Sequence, residues 1–375
     1  MMLDNYRFVG RLKQLVAYTL DRAQCYVYQK KLARQVINLS KDSIVLSYGP
    51  VVGDQLHRGL ALTGGKVKLT YLHQYYPHAK EGFNILYLVS SALPRHSVTL
   101  ARWAKARGVK VVLNQDGVAY PAWTADYQDI NRELESLIAC ADLVIYQSRF
   151  CKEAADQFLG VAPAMCTVMN NCVDIEKFYP RYKSTNSDIT LLVAGSHHQR
   201  ERVTIPLRAQ KMLRDRGIPT RLIIAGPLRW PGAKDEIAVL ARHLQVTDYI
   251  EFIDSYAHHD AASLYARANI CLHLKYKDPC PNVVIEAMAC GLLTIGSNSG
   301  GVPELVGECG TVLPVEESWD QMMYPTATEV CEAIIEAKDS LIARQYATRD
   351  RAIAEFASDK WIAKHDELFK RLLYA

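Results

Sequence analysis

Two carboxylates stand close together in the stretch KDPCPNVVIEAMACG, residues 277–291: Asp278 in a proline-framed loop and Glu286 in the helix that follows. Each carboxylate can accept hydrogen bonds from two hydroxyls. Pro281 and Asn282 fit a helix start and Gly291 its end. Between the two acids, the amides near Cys280, Asn282 and Val283 and the helix dipole offer a place for phosphate. A ligand with phosphates between two polyols, such as a nucleotide sugar, matches that order of groups. The competing reading is an acid that merely offsets the helix dipole, worth about 0.3–1 kcal/mol.

The next stretch, LLTIGSNSGGVPELVG, repeats the design of strand, glycine loop and proline-started helix. Gly300 and Gly301 permit a tight turn and Pro303 opens the helix.

These loops need strands behind them. From Ser43 onward, short β-rich runs alternate with helical stretches, the pattern of parallel α/β construction. Strands are expected at 43–48, 68–73, 84–90, 110–115 and 142–148, and after a polar, proline-containing crossing at 175–188 the cycle resumes at 189–195, 220–226, 249–254, 268–274 and 292–297. The count implies two Rossmann-like domains. No GxGxxG fingerprint follows a strand, which argues against a hydride-transferring dehydrogenase. The expected division is 1–42, a basic amphipathic helical segment; 43–180, the first Rossmann-like domain; 181–350, the second; and 351–375, a final amphipathic helix anchored by Trp361, Leu368 and Leu372.

The 375 residues, 49% hydrophobic and 22% charged, suit two globular domains. A net charge of +4, without a basic run interleaved with aromatics, argues against a nucleic-acid partner. Ten scattered cysteines form no CxxC pair and no metal-ligand cluster, so they read as reduced cytoplasmic thiols. The first forty residues lack the apolar core of a signal peptide, and no stretch approaches the ~20 apolar residues of a membrane span. Their basic amphipathic pattern suits either a solvated helix packed on the first domain or peripheral contact with an anionic membrane face.

On the first domain, YGPVVGDQ follows a strand, so Gly49 and Gly53 allow close backbone approach to a ligand. NQDGVAYP ends another and places Asn114, Asp116 and Tyr120 at a cleft mouth. Asp116 there orients an acceptor hydroxyl, or else simply forms an Asp-Gly turn.

The acid, seven residues, then Glu, followed by GGVPE at 300–304, resembles the retaining glycosyltransferases of family 4 (glycosyl transferases group 1), and the likeness extends over roughly residues 43–370. The resemblance implies the GT-B fold, with two facing Rossmann-like domains, a cleft between them and a last helix crossing back to the first. It implies Glu286 as ligand of the donor ribose and Asp278 as ligand of the donor sugar. The usual Glu-Gly-Phe-Pro-Asn is Asp-Pro-Cys-Pro-Asn here, one methylene shorter at the acid and without the amide of residue 279.

The family's cationic pair after the first strand of the second domain falls on AGSHHQRERVTI, where Ser196 and Glu201 stand instead. The resemblance then leaves Arg200 or Arg202, beside Gly195 and aided by His197, to neutralise the diphosphate. The implied reaction is transfer of a sugar from a nucleoside diphosphate sugar, such as a UDP-sugar, to an acceptor hydroxyl, with neither metal nor cofactor. The expected acceptor is a bacterial envelope polysaccharide, lipopolysaccharide or lipid-linked oligosaccharide, reached from the cytoplasmic side. A nucleotide-sugar epimerase and a catalytically idle sugar-binding subunit are the alternatives.

Overall fold

The computed structural model describes residues 43–58, 64–162, 165–180 and 188–374, with five positions between 24 and 31. The basic helix expected at 1–42 otherwise lies outside the described residues, as does 181–187 of the polar crossing.

Strands β1 (Leu46–Ser47), β2 (Ile85–Val89), β3 (Lys110–Gln115), β4 (Leu143–Tyr146) and β5 (Met165–Val168) form a parallel sheet in sequential order. The successive crossovers from β2 onward stack α3 (Ser97–Lys105), α4 (Tyr127–Cys140) and α5 (Arg149–Phe158) on one face, burying Leu100, Leu137 and Ala154 against Leu88, Leu113 and Val144. The other face needs cover from elsewhere. Helices α1 (Pro50–His57) and α2 (Val67–Tyr75) supply part of it, and α13 (Ser358–Tyr374) returns from the far end of the chain with Trp361, Ile362 and Phe369.

The second sheet holds β6 (Ile189–Ala194), β7 (Thr220–Ala225), β8 (Ile250–Ile253), β9 (Ile270–His273), β10 (Leu293–Ser297) and β11 (Thr311–Leu313) in the order β11-β10-β9-β6-β7-β8, all parallel. Helices α6 (Glu201–Asp215), α7 (Ala233–His243) and α11 (Ala327–Lys338) cover one face. The other carries α8 (Ala261–Tyr265), α9 (Asn282–Ala289), α10 (Val302–Val306) and α12 (Leu341–Phe356). The strand order grows outward from β6 to β8 and then restarts at β9 on the opposite side. Such a switch opens a crevice at the carboxyl ends of β6 and β9.

The chain crosses between the sheets a second time after α12, where the Val173 amide donates to Phe356 O at 2.9 Å and the Ser358 amide to Val173 O at 3.0 Å. The fold is the two-sheet α/β GT-B arrangement. One expected strand is corrected: residues 68–73 are helical, part of α2, because Leu69 and Leu72 bury one helical face. β5 and β11, short strands at sheet edges, were not anticipated. No helix among the described residues is long and apolar enough to cross a membrane.

Candidate active site

The switch-point crevice collects its groups from three loops. After β6, Gly195 holds φ 102°, a conformation that side-chain-bearing residues rarely adopt, while an added Cβ would make only ordinary contacts, 3.5 Å from Val283 Cγ2 and 3.8 Å from Arg202 Nη2. Backbone conformation, not lack of room, explains the glycine, which lies between the cation and the start of α9. Arg202, 4% exposed, donates from Nη1 to Ser196 O at 2.7 Å and from Nη2 to Ala194 O at 3.1 Å, while its buried Nε has no protein partner. Arg200 is engaged differently, its exposed guanidinium paired with Glu236. Of the two arginines the sequence left open, Arg202 is the one against Gly195.

His197 is fully buried with Nε2 3.1 Å from Ala225 O, and burial, with the Arg202 charge, pushes its imidazole down to about 3. It is uncharged at neutral pH, so its aid to an anion would come through an N–H and not through charge.

After β9 comes Asp278, its Oδ2 lying 3.1 Å from His273 Nε2 and 3.1 Å from Lys275 Nζ. Burial disfavours the ionised form, but Lys275, the His273 hydrogen bond and Arg202 outweigh it and hold the carboxyl well below its usual range. The glycine pair supports this loop from behind. A Cβ on Gly300 (φ 75°) would lie 2.4 Å from Asp278 O, and the Gly301 amide donates to that same carbonyl at 2.9 Å.

Helix α9 starts immediately afterwards, with Pro281 as its N-cap and Cys280 buried before it. Its first amides have no acceptor within the helix. Glu286 is 6% exposed in a segment otherwise apolar from Val284 to Ala289. Its Oε1 accepts from His258 Nε2 and its Oε2 from Tyr265 Oη, both at 2.8 Å. An acid that only offset the dipole would sit in solvent; a carboxylate kept at this depth needs donors, and each oxygen keeps a lone pair for a further one.

The facing wall is built on β3. Asp116 Oδ1 pairs with Lys68 Nζ at 2.8 Å, Oδ2 accepts from Ser91, and the amide donates to Ser90 Oγ at 2.8 Å. Lys68, 2% exposed, also donates to Asn114 Oδ1 at 2.7 Å. Asn114 in turn donates to Tyr87 Oη at 2.9 Å, and Tyr87 lies 3.0 Å from His365 Nε2 on α13. Because His365 Nδ1 faces Trp361 O at 2.9 Å, the proton sits on Nδ1 and Tyr87 donates to Nε2. Asp116 is thus a fixed, compensated carboxylate rather than a plain turn residue.

The two walls touch. A Cβ on Gly117 would lie 2.8 Å from Pro279 Cγ, and Asn171 Nδ2 donates to Asn282 Oδ1 at 2.9 Å and to Cys280 O at 3.0 Å. Tyr120 sits at this seam with its ring centroid 5.4 Å from that of Trp319. Gly49 (φ 76°) precedes α1, whereas Gly53 is covered: a Cβ there would lie 2.3 Å from the His78 ring. Close packing of His78, rather than access for a ligand, explains glycine at 53. Lys68, Gly65, His258 and Tyr265 escaped the sequence reading. A GG pair at 64–65 was the one available signal, and an added Cβ at Gly65 would lie 2.6 Å from Asp116 Oδ2.

Two facing parallel-sheet domains with an acid-flanked helix start in the cleft define the class as a GT-B glycosyltransferase architecture. Residues 188–328 match the family described as Glycosyl transferases group 1. Similar curated proteins include the phosphatidylinositol N-acetylglucosaminyltransferase gpi3 subunit of Schizosaccharomyces pombe, 24% identical over 47% of this chain and 38% of that one. The N-acetyl-alpha-D-glucosaminyl L-malate synthase of Bacillus anthracis is 28% identical over 36% of this chain and 34% of its own. The matched stretch is thus less than half of either relative. Among solved structures, the Anabaena protein HepE in complex with UDP-glucose superposes with a TM-score of 0.65 at 18% identity, over 88% of this chain and 99% of that one. Sucrose-phosphate synthase from Thermosynechococcus elongatus gives 0.60 at 18% identity, over 90% and 87%.

Proposed function

We propose that the chain transfers a glycosyl group from a nucleoside diphosphate sugar to an acceptor hydroxyl with retention at the anomeric carbon. The observation that carries this reading is the convergence of Asp278, Arg202 and the open end of α9 at the switch point, with Glu286 one helical turn further in. Glu286 takes the ribose hydroxyls, the α9 amides and Arg202 the diphosphate, and Asp278 the donor sugar. The acceptor oxygen forms a bond to the anomeric carbon as the carbon–phosphate oxygen bond breaks on the same face. The departing phosphate oxygen receives the acceptor's proton.

Asp116, its oxygens already met by Lys68 and Ser91, orients the acceptor hydroxyl and does not take its proton. Arg202 and the helix amides meet the charge that develops on the leaving group, so the reading calls for no metal and no cofactor. Several relatives are named for N-acetylglucosaminyl transfer and one neighbour was solved with UDP-glucose, which puts UDP-N-acetylglucosamine and UDP-glucose first among donors to test. Acceptors of the envelope polysaccharide or lipid-linked class, met at a cytoplasmic membrane face, complete the proposal.

A thermal-shift screen of nucleotide sugars tests it, since a true donor stabilises the folded state by mass action, about 2.7 kcal/mol at a hundredfold excess over Kd. Stabilisation by none of the UDP-, GDP-, ADP- or dTDP-sugars would remove the donor site. Change of the free nucleotide sugar without acceptor would point to an epimerase, and binding without turnover over many acceptors to an idle subunit.

A further inference from the structure

Residues 314–326, between β11 and α11, belong to the second half of the molecule but lean on the first. The Trp319 indole packs on Tyr120, Phe150 and Phe158, with ring centroids 5.4, 5.8 and 4.9 Å apart, and its carbonyl accepts the Ala122 amide at 2.8 Å. All four partners come from the first half. Lys277 also meets the indole, its Nζ 3.5 Å from the ring centroid. That ammonium is 3.0 Å from Glu317 Oε1, on a carboxylate side chain 73% exposed, so the aromatic face is the buried part of its surroundings.

Lys277 is 4% exposed and holds φ 48°, a left-handed conformation uncommon for a residue with a side chain. Its amide donates to Ser299 Oγ at 2.7 Å. One residue earlier, Tyr276 Oη donates to Ser318 O at 2.7 Å and accepts from the Ser318 amide at 2.8 Å. The two residues before Asp278 are therefore held by the two residues 318 and 319, and the second of those is seated in the opposite half.

We infer that Trp319 is a positioning residue for Asp278, acting through Lys277. With the indole in its first-half slot, the Lys277 charge is buried over the ring, the left-handed turn is fixed, and Asp278 is aimed at His273 and Lys275. When the halves part, the indole loses its seat on Tyr120, Phe150 and Phe158, Lys277 also loses the Phe150 ring 5.4 Å from its Nζ, and the turn relaxes. Asp278 is then correctly placed only while the two walls of the cleft are together. The inference rests on the reading of Asp278 as sugar ligand, but its mechanical part is independent of that reading.

Hydrogen exchange on the full chain without ligand tests the mechanical part. In Trp319→Ala, the amides of Lys277, Asp278 and Cys280 are expected to exchange at least ~10-fold faster, with the α9 amides at wild-type rates and Trp319→Phe in between. Lys277→Met, which leaves the slot filled, reproduces the faster loop. Unchanged exchange at 277–280, or an equal rise throughout α9, overturns the inference. With a donor from the screen, Trp319→Ala keeps affinity for the matching nucleoside diphosphate within about threefold while turnover falls at least ~50-fold. Equal losses in both overturn it as well. A wild-type protein that binds no nucleoside diphosphate defeats the donor reading instead, and the exchange rates still decide the coupling.

Discussion

The Ser148 hydroxyl donates to the carbonyl oxygen of Pro279 at 2.8 Å while accepting the Cys151 amide at 3.0 Å. One side chain is thus the N-cap of α5 in the first half and a tie to the Asp278 loop in the second. Beside it, the amides of Arg149 and Phe150 donate to the two carboxylate oxygens of Glu304 at 2.8 and 2.9 Å, so the glutamate of GGVPE caps a helix in the opposite half. Loss of such a cap costs about 0.5–2 kcal/mol. Ser148→Ala and Glu304→Ala should each lower the unfolding free energy by that amount and the denaturation midpoint with it, with Glu304→Gln between Glu304→Ala and wild type. Small-angle scattering should register a larger radius of gyration for Glu304→Ala; identical midpoint and radius would sink the clasp.

Arg202 and Arg200 should separate cleanly. Arg202→Met takes the donor from the buried Ala194 O, at a cost of about 1–3 kcal/mol, takes the donor from the more exposed Ser196 O, and removes the cation beside Gly195. Arg200→Ala removes only an exposed, solvent-screened pair with Glu236. Titration calorimetry with UDP, GDP and ADP should show lost affinity for Arg202→Met and little change for Arg200→Ala. The reverse ranking would move the diphosphate to Arg200.

Glu286→Gln keeps the shape of the side chain but gives up the charge and one acceptor oxygen. Hydrogen bonds to a charged group contribute about 1.5–3 kcal/mol each, so loss of one or two to a diol corresponds to roughly 10- to 10⁴-fold in turnover. Circular dichroism should report an intact fold. Full retained activity would take Glu286 out of the site.

Acid stability should carry the signature of buried neutral histidines. Burial pushes His365 down to about 4 and His197 down to about 3, against about 6.5 in the unfolded chain. On acidification the unfolded chain binds the protons first. The stability of the neutral forms is therefore complete above about 6.5 and is lost as pH falls toward the folded values, by ~1.4 kcal/mol per pH unit for each histidine. Urea midpoints at pH 7.5, 6 and 5 should fall accordingly, and His365→Gln should flatten the slope. A midpoint constant from pH 7.5 to 5 would show that these imidazoles are not held neutral.

Much of the scaffold could be read from the chain because its signals are local. The run KVVLNQ is buried on both sides of a parallel sheet, and β3 spans Lys110–Gln115 as expected. KLTYLH misled because its alternation imitates a strand, while the sheet face that Leu69 and Leu72 cover, and the Asn114 and Asp116 side chains that bind Lys68, lie far away in sequence, the latter two 46 and 48 positions on. Glu286 was found by its spacing from Asp278, yet its partners His258 and Tyr265 carry no motif that marks them as its donors.

The sequence alone determined what depends on neighbours along the backbone: proline and glycine at the loop ends, the start of α9, the distance between the two acids, and the alternation of strands with helices. The tertiary structure decided what depends on dielectric and on contacts across the cleft. It selected Arg202 over Arg200, left His197 neutral, kept Asp278 ionised, tied Asp116 to Lys68 and placed Trp319 of one half within the other. Charge state and aim are set by desolvation and by donors from distant elements, and these leave no periodic trace in the order of residues.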